Sequence, residues 1–379
     1  MSDRPKILQI LYSGLGGHYA VATTLVHSAG KDDPWDHHLL FFGIEPVAPG
    51  YASDCKQAGI AYSYVQSKAG RPFMAWPALM REVRRIAPDV IVLHSIKAIF
   101  AMRRVVGRTP LIAVEHQPNV LKSKAEWIAS AASQFLADRV ILLSRDYYTT
   151  MRAKLGSLLR EERTVIVPTG IDLSLYTQGK PAFEAGQKLR LGMAARFTEK
   201  KAQEVLVEAA HLLRTQHPEL DIAFTLAGDG PCMPQVRAAV EHFGVGDMVE
   251  LPGHIAAEKL PDWFATLDLY AHATDGETLS TSLLQAMAVG LPITASAVPG
   301  VTDLLGPPEE GQEPLGTLVK ARDAQAFADA IARYARDPEF AGKQGERSKQ
   351  HVHTKHSPQA MRSGYTKVIE AICREKSST

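Results

Sequence analysis

"SLYTQGKPAFEAGQKLRLGMAAR", Ser174–Arg196, decides the fold. As far as Gln187 it is a lapse into Gly, Pro and polar residues, and from Leu189 it is a fresh strand. On both sides of it short apolar strands alternate with helical segments, the pattern of a parallel sheet covered by helices on both faces. Before it, strands are expected at Lys6–Tyr12, Leu39–Phe42, Val90–Leu93, Leu111–Glu115, Arg139–Leu143 and Thr164–Val167. After "LRLGMAAR" they are expected at Ala223–Ala227, Val249–Pro252, Leu269–Ala271 and Pro292–Ala295. Beyond Asp323 the pattern is helical, and the last amphipathic helix, near Gln359–Arg374, lies past the second half's final strand. The expectation is α/β, with one Rossmann-like doubly wound domain over 1–175 and another over 186–355. Segment 359–379 is expected to pack back on the first. Facing domains of this kind gather the carboxyl ends of their strands around one central cleft, where ligands of such sheets bind.

A chain of 379 residues exceeds what one core usually serves, and 45% hydrophobic with 22% charged residues is ordinary for a globular protein. The longest apolar runs, such as Val90–Leu93 and Leu191–Ala195, are strand-sized and far short of a membrane span. The opening "MSDRPKILQILYSG" lacks the sections of a signal peptide, so a cytoplasmic location is expected. Cys55, Cys232 and Cys373 show no paired spacing and suggest neither a disulfide framework nor a zinc site. Charge is uneven. Residues 1–172 carry 21 Lys+Arg against 15 Asp+Glu, and 173–379 carry 21 against 26, giving +6 and −5. Arg81, Arg84, Arg85, Arg103, Arg104 and Arg108 supply much of the excess. They suit an anionic membrane face or a phosphate-bearing acceptor, or are simply a solvated helix face.

Four strand ends carry the motifs. "ILYSGLGGHYAVATTL" places Gly14, Gly16 and Gly17 before a helix, but Tyr19 stands at the third glycine of a dinucleotide fingerprint and no ribose-binding acid ends a second strand. Gly16 and Gly17 still allow close approach of a ligand at a helix start. In "RFTEKKA", Arg196 ends a strand and Lys201 is expected to begin a helix; fork and point charge suit the two phosphates of a diphosphate. "FTLAGDGP" runs into a turn, Gly228 and Gly230, that can pass under a ligand. In "DGETLSTSLLQAMAVGLPI", Asp275–Ile293, the hydroxyls of Ser280, Thr281 and Ser282 begin a helix whose first N–H groups and dipole favour a phosphate. Glu277 precedes that helix and suits sugar hydroxyls; Gln285, further in, can bridge a ribose diol.

In that order these segments resemble the retaining nucleotide-sugar glycosyltransferases of the GT-B fold, particularly glycosyltransferase family 4, over nearly the whole chain. Asp275–Ser296 resembles the family's E-G-F-G-x-x-x-x-E-A-M-A-x-G-x-P, "RFTEKKA" its R-x-x-x-x-K-G, and "PTGID" its N-G-[IV]-D. The resemblance implies Arg196 and Lys201 on the diphosphate, Glu277 on the donor sugar, and the nucleoside near Gly253, His254 and Gln285, with Gly228, Gly230, Thr278, Leu279, Ser280 and Thr281 around the donor. It departs at Gln285 for the second Glu, Thr278-Leu279-Ser280 for Gly-Phe-Gly, Ala202 for Gly and Thr169 for Asn.

The family commonly places a His after a first-domain strand near the donor sugar, and "LIAVEHQPNV" offers His116, implied to hydrogen-bond a sugar hydroxyl. His18 and Glu115 are lesser candidates. With no Asp-x-Asp in the chain, the leaving diphosphate is expected to be held by Arg196, Lys201 and the helix start, with no metal and no cofactor. For the acceptor, "PNVLKSKAEWIASAASQFLADR" sets Lys122, Lys124 and Trp127 on an amphipathic segment, fitting a lipid-linked saccharide at the membrane's inner face, or a soluble saccharide. The expected partners are a UDP- or GDP-hexose and such an acceptor, and no nucleic acid. Two alternatives stand beside this: a non-catalytic sugar-nucleotide-binding scaffold, motivated by Gln285, and a nicotinamide-dependent oxidoreductase, disfavoured by the broken fingerprint.

Overall fold

Val90–Leu93 and Leu111–Val114 are buried at every position, as central strands covered on both faces must be. They belong to the first of two sheets in a computed structural model that describes residues 4–14, 17–28, 33–103, 107, 109–117, 119, 122–176, 183–184, 186–277, 279–308 and 311–377. In chain order the first unit runs β1 (Lys6–Leu11), α1 (Gly17–His27), β2 (Asp36–Gly43), α2 (Pro49–Gln57), β3 (Ala61–Gln66), α3 (Trp76–Ile86), β4 (Val90–Leu93), α4 (Ile99–Met102), β5 (Leu111–Val114), α5 (Lys124–Leu136), β6 (Arg139–Leu142), α6 (Arg145–Leu155) and β7 (Thr164–Ile166). The second runs β8 (Leu189–Ala194), α7 (Gln203–Gln216), β9 (Ile222–Ala227), α8 (Met233–Phe243), β10 (Val249–Gly253), α9 (Leu260–Ala265), β11 (Leu269–His272), α10 (Thr281–Val289), β12 (Ile293–Ser296), α11 (Val301–Leu305), β13 (Thr317–Val319), α12 (Ala324–Arg336) and α13 (Pro338–Lys355). The last helix, α14 (Pro358–Ser377), belongs to the first unit.

The sheets are ordered β3-β2-β1-β4-β5-β6-β7 and β10-β9-β8-β11-β12-β13, and every observed pair is parallel. Both are doubly wound. Strand order reverses between β1 and β4 in one and between β8 and β11 in the other, and outside the carboxyl ends of such strands lies the crevice that binds ligands.

The chain divides into residues 1–170 with 358–379, and residues 171–357. Within the first unit α14 buries Met361, Tyr365 and Ile372. Arg362 donates to Asp33 (2.9 Å) and lies over the Trp35 ring, and Lys376 pairs with Asp138 (2.7 Å). At the start of the second unit, Leu173–Tyr176 is a single 3-10 turn, and 177–182 and 185 lie outside the described residues.

Two strands are absent from the sequence expectation. β3 is an edge strand, "AYSYVQ", in which Val65 alone is buried, so alternation shows only weakly. β13 has three residues, fewer than any pattern needs.

Candidate active site

At the second unit's reversal, β8 and β11 deliver most of the expected donor residues. The loop after β11 is laced to the turn before α7: the Thr274 hydroxyl and the Asp275 N–H both donate to the Lys200 carbonyl (3.0 and 2.9 Å). Arg322 closes the lacing, donating to Asp275 Oδ1 (3.0 Å) and Oδ2 (2.5 Å) and to the Glu199 carbonyl (3.0 Å). Lys201 therefore sits in the turn, with its N–H on the Thr198 carbonyl; α7 starts two residues later than expected. Its ammonium is ion-paired with Glu277, the side chains being 20% and 13% exposed.

Glu277 also accepts from Nε2 of His272 (3.1 Å), a fully buried imidazole stacked on Tyr270. Burial, with Lys201 adding, holds His272 well below the usual histidine range, so it is a neutral donor. Desolvation, reinforced by Lys200, pulls the Lys201 ammonium down to about 7. The adjoining Glu277 carboxylate favours the charged form, as would any bound anion.

Arg196 is exposed on the loop after β8 and makes no ion pair among the described residues. Beneath it Gly228 and Gly230 have φ of +136° and +155°, and a Cβ on either would lie 1.9 Å from the Ala195 carbonyl oxygen or 2.3 Å from that of Phe197. Close approach to the backbone just after β8 by itself calls for glycine at both positions. The Gly228 N–H donates to the Gly253 carbonyl, which brings exposed His254 beside the same turn.

Ser280 is the N-cap of α10, its hydroxyl accepting from the Leu283 N–H (3.4 Å) and lying 3.0 Å from that of Ser282. The Ser280 oxygen thus caps its own helix. Thr281 opens the helix, Leu279 leans on the apolar core, and Thr278 lies outside the described residues. Gln285 is hydrogen-bonded through its side chain to the buried Tyr176, a residue absent from the sequence expectation.

The first unit's reversal gathers three imidazoles. His94 follows β4, His116 follows β5, and His18 lies in the first turn of α1. His116 Nε2 is 2.8 Å from His94 Nδ1, and His94 Nε2 is 3.1 Å from Gln9 Oε1. His18 Nε2 donates to the Tyr12 carbonyl (3.1 Å), its ring centroid 6.4 Å from that of His116. Burial lowers all three, His116 to about 3 with His18 adding. Gly17 begins α1, and Gly16 lies outside the described residues.

Lys122 and Glu115 need correction. Both side chains are wholly buried and paired at 2.9 Å, with Lys122 also donating to Ser130 and lying over Trp127. Neither meets an acceptor from solvent. Lys124 is exposed at the start of α5, which Ser123 and Glu126 close with a capping box. Among the described residues no three His, Cys, Asp or Glu converge as metal ligands, and no helix is long and apolar enough to cross a membrane.

Sequence reasoning missed Gln9, His94, His272 and Arg322. The first three share one visible signal, a polar residue inside or ending an otherwise apolar strand, in "KILQIL", "VIVLH" and "LYAH". Arg322, 47 residues from Asp275, left none.

The profile "Glycosyltransferase Family 4" matches residues 26–175, and "Glycosyl transferases group 1" matches 188–337. The chain belongs to glycosyltransferase family 4. Among curated relatives of this family 4 member, the D-inositol 3-phosphate glycosyltransferase of Arthrobacter sp. (strain FB24) is 28% identical over 49% of this chain and 45% of its own. The amylovoran biosynthesis glycosyltransferase AmsK of Erwinia amylovora is 31% identical over 39% and 36%. Each match takes in less than half of the relative's length. Anabaena HepE, solved with UDP and glucose, is 19% identical with a TM-score of 0.79 over 97% of this chain and all of that one. That likeness shows the GT-B fold.

Proposed function

We propose that this family 4 member is a retaining glycosyltransferase moving a hexose from a UDP- or GDP-sugar to a saccharide or lipid-linked saccharide, in glycan, exopolysaccharide or lipopolysaccharide assembly. One observation carries the reading: at the β8/β11 reversal a Lys–Glu pair, a neutral His and a helix start converge, with a solvent-facing Arg on the next loop. Arg196 and the Lys201 ammonium hold the diphosphate, and the first N–H groups of α10 face the charge that grows as it leaves. A diphosphate raises the proton affinity of Lys201, so the lysine is charged when it matters. Glu277, kept oriented by His272, accepts from donor-sugar hydroxyls and steadies positive charge building at the anomeric carbon. His116 takes a substrate hydroxyl in the first unit, with His18 beside it and Lys124 toward the acceptor.

The names of the relatives support this class of chemistry. No metal takes part in the proposal, so activity should persist in excess EDTA. Exposed Arg81, Arg84 and Arg85 on α3 suit an anionic membrane face, which vesicle sedimentation weakening with salt would test. The deciding experiment is a panel of UDP, GDP, ADP and their sugars read by melting temperature, followed by proton NMR of the sugar first released. A nucleotide-specific rise and a retained anomer are expected. An inverted anomer, or no response to any donor, would overturn the proposal.

A further inference from the structure

We infer that Gln9 and His94 determine which ring nitrogen of His116 carries the proton, fixing Nδ1 as a hydrogen-bond acceptor. Its meaning for turnover rests on the proposed reading of His116 as a substrate-facing group; the assignment of the proton does not.

The direction comes from one end of the chain. The carbonyl of Ala22, in α1, can only accept, and Gln9 Nε2 donates to it (3.4 Å). The Gln9 amide is thereby oriented, and its Oε1 is left to accept. His94 Nε2, 3.1 Å away, must then be the N–H of that ring. A neutral imidazole has one proton, so His94 Nδ1 is a lone pair. His116 Nε2 lies 2.8 Å from that lone pair and must donate to it. The proton of His116 is on Nε2, and Nδ1 accepts.

The relay works only if both rings are neutral, since an imidazolium at His94 would set donor against donor. Their surroundings keep them so. Gln9 is 1% exposed between Leu8 and Ile10 of β1, and His94 is 6% exposed. His18 also packs against His116, is itself hydrogen-bonded to the Tyr12 carbonyl, and adds no stabilising anion. The carboxylate next in sequence, Glu115, is engaged by Lys122. Burying an amide in an apolar strand is costly unless its hydrogen bonds are made, and here they are made in series.

An Nδ1 acceptor favours a substrate hydroxyl that donates over a group that only accepts, so Gln9 and His94 are positioning residues acting through His116. Long-range proton–nitrogen correlation spectra of the full chain, labelled at histidine and assigned with His116→Gln, read the tautomer directly. His116 of the wild type should be protonated at Nε2 between pH 6 and 8. His94→Phe, and independently Gln9→Met, should give a mixed tautomer and about a tenfold loss of turnover with nucleoside diphosphate affinity unchanged. A wild-type proton on Nδ1, or an unaltered tautomer in both His94→Phe and Gln9→Met, would overturn the inference. If the tautomers behave as stated while His116→Gln keeps full turnover, the relay stands and the role given to His116 falls.

Discussion

Two of the Glu–Lys pairs among the described residues join groups singled out in the sequence and live differently in the fold. Glu115 and Lys122 are wholly enclosed, ringed by Tyr147, Trp127 and Ser130. Lys201 and Glu277 stand at a strand reversal with about a fifth and an eighth of their side chains exposed. The first pair is closed to solvent; Lys201 can exchange Glu277 for another anion, or bridge both. Access, more than burial, distinguishes a charge that supports a loop from one that meets a ligand.

The largest effect should come from breaking the enclosed pair. Lys122→Met strands Glu115, whose Oε1 already lacks a partner among the described residues, and should cost about 3–5 kcal/mol of stability. Denaturant unfolding checks it, and Lys122→Met with Glu115→Leu should recover much of the loss. A single variant as stable as wild type would erase the contrast.

At the open pair the effect should fall on binding. Lys201→Ala and Arg196→Ala should each weaken a nucleoside diphosphate by on the order of 1.5–3 kcal/mol while leaving the bare nucleoside nearly untouched. Calorimetry with both ligands separates the cases, and equal losses would remove the phosphate from this site.

The two units should also part company in acid. His18, His37, His38, His94 and His116 of the first unit have folded pKa values lowered by burial, against His272 and His351 in the second. A lowered value means stability is complete above the unfolded pKa of roughly 6.5 and is lost as pH falls below it, by up to about 1.4 kcal/mol per histidine per pH unit. Hydrogen exchange at pH 7.5 and 5.5 should show the first unit loosening more. Equal loosening would count against the neutral histidine cluster.

Most of the framework was legible because central strands are apolar throughout and announce themselves without an alignment. The family segments "RFTEKKA" and Asp275–Ser296 likewise singled out Lys201 and Glu277, which the fold pairs. What escaped depends on partners far apart in the chain. Nothing local to "PNVLKSKAEW" says that Lys122 turns inward to Glu115, and nothing near Asp275 announces Arg322. At Gly228 and Gly230 the backbone just after β8 leaves no room for a Cβ, a constraint that no local pattern shows. Ser280 similarly caps its own helix. Local patterns show where a polar group can serve, and only the fold shows whether it is already taken.

The central claim is that Glu277 acts on the donor sugar while Lys201 and Arg196 hold its diphosphate. Glu277→Gln keeps the shape and removes the charge, so the most direct test measures its donor turnover and its nucleoside diphosphate affinity side by side. Turnover should fall at least a hundredfold, about 2.7 kcal/mol of transition-state stabilisation, with affinity within a few-fold of wild type. Normal turnover in Glu277→Gln, or a parallel collapse of both quantities, would contradict the account.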